Sequence, residues 1–202
     1  MKQFLPLCCL LLLLTGCSKS TVPGPTDAEK VSIRFDCNMS AQVTTIQDGN
    51  TKADQATREL PASCLPDANQ MKLHLTGTST ATEYHYENMA AYDQPLLDPD
   101  DYTAHFTYGD PEAEGPQAAY FEGKTTCTVA ARQTVTQPVT HALANSLYTL
   151  EFSEWFKKYY TSCQIQITTS SGYQSGHTIT SVTDPVPIFV KPNSTLYMSG
   201  TA

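Results

Sequence analysis

The chain has 202 residues, with 12 Lys+Arg against 20 Asp+Glu and a formal net charge of −8. An acidic chain without a basic cluster is repelled by nucleic acid and by anionic headgroups, so no nucleic-acid partner is expected. The length supports one large domain or two small ones, with a core that needs no metal or disulfide staple.

Residues 1–16 read as a signal peptide. Lys2 supplies the positive start, and residues 4–14 are apolar apart from Pro6. As a helix that run spans about 16 Å, well short of a bilayer core, so cleavage rather than spanning is expected. Leu14-Thr15-Gly16-Cys17 resembles a lipobox, which makes Cys17 the expected lipidation site and the first mature residue. Two or more acyl chains hold a protein stably at a membrane. Without Lys2 the remaining 11 Lys+Arg face 20 Asp+Glu, a net charge of −9. Residues 17–30 then form the lipidated Cys and a flexible tether around Pro23-Gly24-Pro25. Stretched out, the tether reaches about 40–45 Å; as a coil it reaches nearer ~20 Å. Ser18 is not the Asp that marks inner-membrane retention, so by resemblance to known sorting rules the expected address is the outer membrane of the cell envelope.

Residues 31–202 read as a single domain of short alternating strands. Val31, Ile33, Phe35, Cys37 and Met39 alternate with polar residues, the pattern of a half-buried strand. Residues 44–70 are polar and read as a long loop or weak edge region, with a turn at Gln47-Asp48-Gly49-Asn50. Met71, Leu73 and Leu75 alternate up to Gly77. Residues 82–87 put Tyr84 and Tyr86 on one face and His85 on the other. Tyr102, Ala104, Phe106 and Tyr108 alternate up to Gly109. Further strands are predicted at 125–130, 134–142, 146–152, 162–169, 178–183, 187–191 and 196–199. A helix is predicted after Ser153, with Trp155/Tyr159 and Phe156/Tyr160 paired four apart, as a cap on one open end. Short strands at even spacing predict an all-β sandwich with one short capping helix.

Cysteine usage leaves alternatives open. Cys37, Cys64, Cys127 and Cys163 remain after the signal and Cys17 are set aside. An exported compartment permits disulfides, and four cysteines allow three pairings. The apolar phase of Cys37, Cys127 and Cys163 suits buried thiols equally well. No CxxC spacing points to zinc.

From Met71 onward the motifs fall in a familiar order. Asp101-Tyr102-Thr103-Ala104, Tyr108-Gly109, Glu114-Gly115 and Ala119-Tyr120-Phe121-Glu122-Gly123 come first. Leu143-Ala144-Asn145-Ser146 and Phe152-Ser153-Glu154-Trp155-Phe156-Lys157-Lys158-Tyr159 follow. The series resembles a lipoprotein family of gut Bacteroides-type bacteria, domain of unknown function 4493. Two positions depart from it: Asp101 replaces the usual Gly, and His141 stands where Cys is common. The family is similar to fimbrillin-type adhesins. That resemblance implies an immunoglobulin-like or transthyretin-like sandwich, assembly by strand donation, and proteolytic processing after an arginine. Arg58 is the candidate arginine for that processing.

Catalytic constellations are not found. In Gly172-Tyr173-Gln174-Ser175-Gly176 the serine is one place away from a GxSxG elbow. The five histidines form no HExxH pair. Asp93, Asp98, Asp100, Asp101, Asp110, Glu112, Glu114 and Glu122 read as a solvated acidic face, because Asp98-Pro99-Asp100-Asp101 lacks calcium-loop spacing. Tyr84, Tyr86, Trp155 and Tyr159 are the candidate ligand-contact aromatics, since planar rings stack on sugars or anchor protein interfaces. The expectation is a lipid-anchored binding or adhesion protein without catalysis, cofactor or metal. Its partners would be the membrane and a protein or glycan. The alternatives are a glycan-binding lipoprotein for carbohydrate uptake and a hydrolase accessory domain.

Overall fold

The computed structural model describes residues 30–45, 56–150, 152–172, 174–175 and 187–201. In chain order these hold β1 (Ile33–Met39), β2 (Gln42–Thr45), β3 (Ala56–Glu59), β4 (Lys72–Gly77), β5 (Glu83–Tyr86), β6 (Asp100–Tyr108) and β7 (Phe121–Val129). After them come β8 (Val135–Leu143), β9 (Ser146–Thr149), α1 (Glu154–Tyr159), β10 (Gln164–Thr169), β11 (Gln174–Ser175), β12 (Pro187–Val190) and β13 (Leu196–Thr201).

A six-stranded sheet in the order β1-β8-β7-β6-β4-β5 dominates. Its neighbours are antiparallel except β1 and β8, which run parallel from Ile33↔Val135 to Met39↔His141. Period two decides which side chains meet. Leu73 faces Phe106, Leu75 faces Ala104, Tyr102 faces Cys127, and Tyr108 faces Phe121. Leu73, Leu75, Tyr102, Phe106 and Phe121 are buried. Burial of each such side chain contributes roughly 1.5–3 kcal/mol. Phe35 meets Phe106 edge-on at 5.1 Å and tilts against Tyr92 at 5.5 Å. The Tyr92 hydroxyl donates to the Ile33 carbonyl at 2.8 Å, which gives the buried phenol a partner.

The opposing layer is made of smaller pieces. The β2–β3 hairpin and the β9–β12 pair supply it, and the sheet β11-β10-β13 packs on β12 through Ile167, Ile188 and Val190. Val43, Leu60, Leu147 and Phe189 join the core built on the large sheet, which makes the domain an all-β sandwich. Cys37, Cys64 and Cys127 are unbridged thiols; Cys127 is buried and the other two are half-buried, so the free-thiol alternative applies to Cys37 and Cys127. Burial pushes the Cys37 and Cys127 thiols up, with Asp36 and Asp101 adding to the effect.

Most predicted strands form within a few residues of their expected bounds. The stretch 44–70 does not form one long loop: β3 and the end of β2 lie in it, and Leu60 is buried. Val43 is the one large apolar residue in the two strands β2 and β3, so no alternation marked them. The strand predicted at 178–183, the turn at 47–50, Cys17 and the tether through residue 29 lie outside the described residues.

Candidate functional site

The last third of the chain carries the most exposed aromatic surface. Ser153 caps α1 by accepting the Phe156 N–H at 3.2 Å. Glu154 lies in the first turn and Lys157 and Lys158 in the last, each complementing the helix dipole. A helix of six residues is not stable alone, so one face must be held by packing. Phe156 does this, joining Leu150, Phe152 and Ile165 around buried Cys163. It stacks on Phe152 at 5.1 Å.

The opposite face stays in solvent. Trp155 is 69% exposed and Tyr159 67% exposed. Their rings are nearly parallel, 10° apart, with centroids 6.2 Å from each other. The Lys158 ammonium lies 5.2 Å from the Trp155 ring and 5.7 Å from the Tyr159 ring. A cation over aromatic faces is attracted by the ring quadrupole and restrains both rings. Two large apolar faces are thus held together in water, with one positive charge beside them.

A groove of about 260 Å³ runs behind the helix, lined by Leu150, Phe156, Cys163, Ile165, Met198 and Gly200. Beside it, Tyr197 and Met198 on β13 are exposed. Among the described residues β13 pairs only with β10, and no described strand lies along its other edge.

Glu114 ties this region to the large sheet. Its carboxylate accepts from Ser171 Oγ at 2.5 Å, Thr169 Oγ1 at 2.7 Å and the Lys191 N–H at 2.8 Å. Gly115 and Phe189 exchange two backbone hydrogen bonds next to it, at 2.8 and 3.0 Å. Burial pushes Glu114 up, but the Ser171, Lys191 and Thr169 donors and the Lys191 charge outweigh it and hold the carboxyl below its ordinary value.

The other candidates fall elsewhere. Tyr84 and Tyr86 point inward at the sheet edge and pack against the core. The Tyr86 hydroxyl donates to Asp93 at 2.9 Å, and its ring meets Tyr92 edge-on at 5.1 Å. Burial, with Asp93 adding to it, pushes the Tyr86 phenol up to about 12. Arg58 sits on β3 opposite Val43 rather than in a loop. Ser175 lies on β11, away from any strand–helix elbow. Asp100 accepts N–H groups of Ser79 and Thr80, and Asp101 accepts the Thr128 hydroxyl. These two acids are turn and ladder fasteners. One cluster escaped sequence reading altogether: His74, Glu83 and His85 converge on the outward face of the large sheet.

The motif residues mostly shape the backbone. Gly109 has φ +87°, and a Cβ there would stand 2.3 Å from the Ala119 carbonyl. Asn145 is buried and bridges, accepting the Tyr120 N–H at 3.3 Å and donating to the Ala118 carbonyl at 2.6 Å.

Fold and surface together define an all-β sandwich with an exposed aromatic face at its small helix. Residues 29–202 match the family model described as Domain of unknown function (DUF4493), and the chain belongs to that family. No curated protein and no solved structure matches it significantly.

Proposed function

We propose that the chain is a lipid-anchored cell-envelope binding protein that works by contact, with the outer face of α1 as its contact surface. The observation that carries this reading is the exposed Trp155–Tyr159 pair, restrained by Lys158. Trp and Tyr rings have only two side-chain torsions each, so they lose little entropy when a partner covers them. The lipobox at Leu14-Thr15-Gly16-Cys17 and the tether behind it support membrane attachment through Cys17.

The test joins both parts. Cells expressing the chain are labelled with palmitate, shaved with protease, and assayed for adhesion to protein and glycan surfaces. Label at Cys17, lost in Cys17→Ala, together with adhesion lost in Trp155→Ala, supports the reading. An unlabelled chain that keeps residues 1–16, or adhesion unchanged in Trp155→Ala and Tyr159→Ala, removes it.

A glycan ligand is the second reading. The 10° angle between the two rings favours it, since near-parallel plates suit the flat apolar faces of neighbouring sugars. Glycan-array signal lost in Trp155→Ala separates it from protein adhesion. Strand-donating assembly is a further form of the first reading, supported by the edge of β13 along which no described strand lies. It predicts a polymer ladder on unboiled gels that Arg58→Ala abolishes.

A further inference from the structure

Three histidines from the consecutive strands β4, β5 and β6 stand in one row on the outward face of the large sheet. His74 on β4 lies directly opposite His85 on β5 and His105 on β6. Thr76 and Glu83 form the next cross-strand pair on that face of β4 and β5. Period two sends His74, Thr76, Glu83 and His85 to the same side, away from Leu73, Leu75, Tyr84 and Tyr86.

The side chains converge further than the register requires. The His74 and His85 rings stack at 4.1 Å with 21° between their planes. Glu83 Oε2 lies 3.4 Å from His85 Nε2 and 3.8 Å from His74 Nε2. All three ligand atoms lie within 4.8 Å of one another. Around one tetrahedral ion with 2.0–2.1 Å bonds, ligand atoms stand about 3.3 Å apart. Small side-chain rotations close the remaining gap. His105 is engaged elsewhere, its Nε2 bonded to Glu122 Oε1 at 2.5 Å.

We propose that His74, His85 and Glu83 form a surface site for a divalent transition-metal ion. Two imidazole nitrogens select zinc, copper or nickel over magnesium or calcium, which prefer all-oxygen shells. Three protein ligands leave at least one position for water or for an outside donor. The acidic chain raises the local cation concentration. The ion would also fasten the edge strand β5 to β4, since it takes ligands from both.

The test uses the full untagged chain and zinc as the probe, with cobalt as a spectroscopic substitute. Calorimetry should show one saturable zinc site, weakened at least about tenfold in His85→Ala and in Glu83→Gln, the loss expected for a damaged metal site. His105→Ala should bind as the native chain does. Cobalt should give visible ligand-field bands that vanish in the His74→Ala/His85→Ala double variant. Zinc should raise the melting temperature of the native chain but not of that variant. Glu83 and His85 are exposed and His74 is half-buried, and folding of each variant is checked by circular dichroism. Zinc affinity unchanged in the double variant, or weakened as much by His105→Ala as by His85→Ala, overturns the proposal.

Discussion

Gly123 lies directly against His141: a Cβ built on the glycine would stand 2.3 Å from the imidazole Nδ1. Phe106 is opposite Gly123 in the β6–β7 ladder and meets the same imidazole edge-on at 5.0 Å. His141 is fully buried, and neither ring nitrogen has a hydrogen-bond partner among the described residues. The absent side chain of one strand therefore makes the room for an ionisable one on the next.

Gly123→Ala should destabilise the fold by about 1–3 kcal/mol, the cost of overpacking a filled core. The nearest atom is the imidazole itself, so the penalty should shrink in a His141→Ala background. Urea unfolding of the two single variants and the double variant measures that coupling. Equal penalties in both backgrounds would show that the contact does not matter.

Burial pushes His141 below the ordinary imidazole value. The unfolded chain therefore takes up this proton first as pH falls. The native state keeps its full stability from this group above about pH 6.5 and loses it progressively below, down to the depressed folded value. His141→Leu removes the proton and the two unsatisfied nitrogens together. Its urea midpoint should match or exceed the native one at pH 7.5 and should fall less between pH 7 and pH 5.

Glu114 has the opposite charge behaviour. Its carboxyl is held below its ordinary value, so its contribution is present above about pH 4.3 and is lost as pH falls through the folded value. Glu114→Gln should cost about 1.5–3 kcal/mol at pH 7, the range for hydrogen bonds to a charged group. Hydrogen exchange should quicken at the Phe189 and Lys191 amides, which bond to Gly115 and Glu114.

Neighbouring positions on α1 should separate binding from stability. Trp155 is mostly exposed, so Trp155→Ala should change stability by less than about 0.5 kcal/mol while binding is lost. Phe156 packs around Cys163, so Phe156→Ala should cost about 1–3 kcal/mol, below the range for a fully buried ring. Thermal melts beside adhesion or glycan-binding assays read both effects. A destabilised Trp155→Ala would place that ring in the fold rather than on the contact face.

The large sheet was legible because its strands alternate cleanly. Phe106, Leu73 and Leu75 each sit in a period-two pattern, and one residue of slip would put them in water, whereas the start of β7 at Phe121 lies ahead of the strand predicted at 125–130. The β2–β3 hairpin was not legible, since Val43 is the single large apolar residue of its two strands and Thr and Gln fit a loop equally well. The exposed pair on α1 was legible as spacing, Trp155 and Tyr159 being four apart. Which aromatics face inward was not: Phe156 is held by Cys163 and Ile165, later in the chain, and Tyr86 by Tyr92 across a turn. The His74–Glu83–His85 cluster depends on strand register, which no local pattern displays.

The parallel pairing of β1 with β8 has a mechanical side. Seven residue pairs, Ile33↔Val135 through Met39↔His141, lie along one line, and Val31 is bonded to Leu97 just ahead of them. A tug on residue 30 along the strand axis loads those bonds in shear, all together, instead of peeling them one by one. Whatever pulls on the domain from its amino-terminal side would therefore meet a clamp and not a zipper.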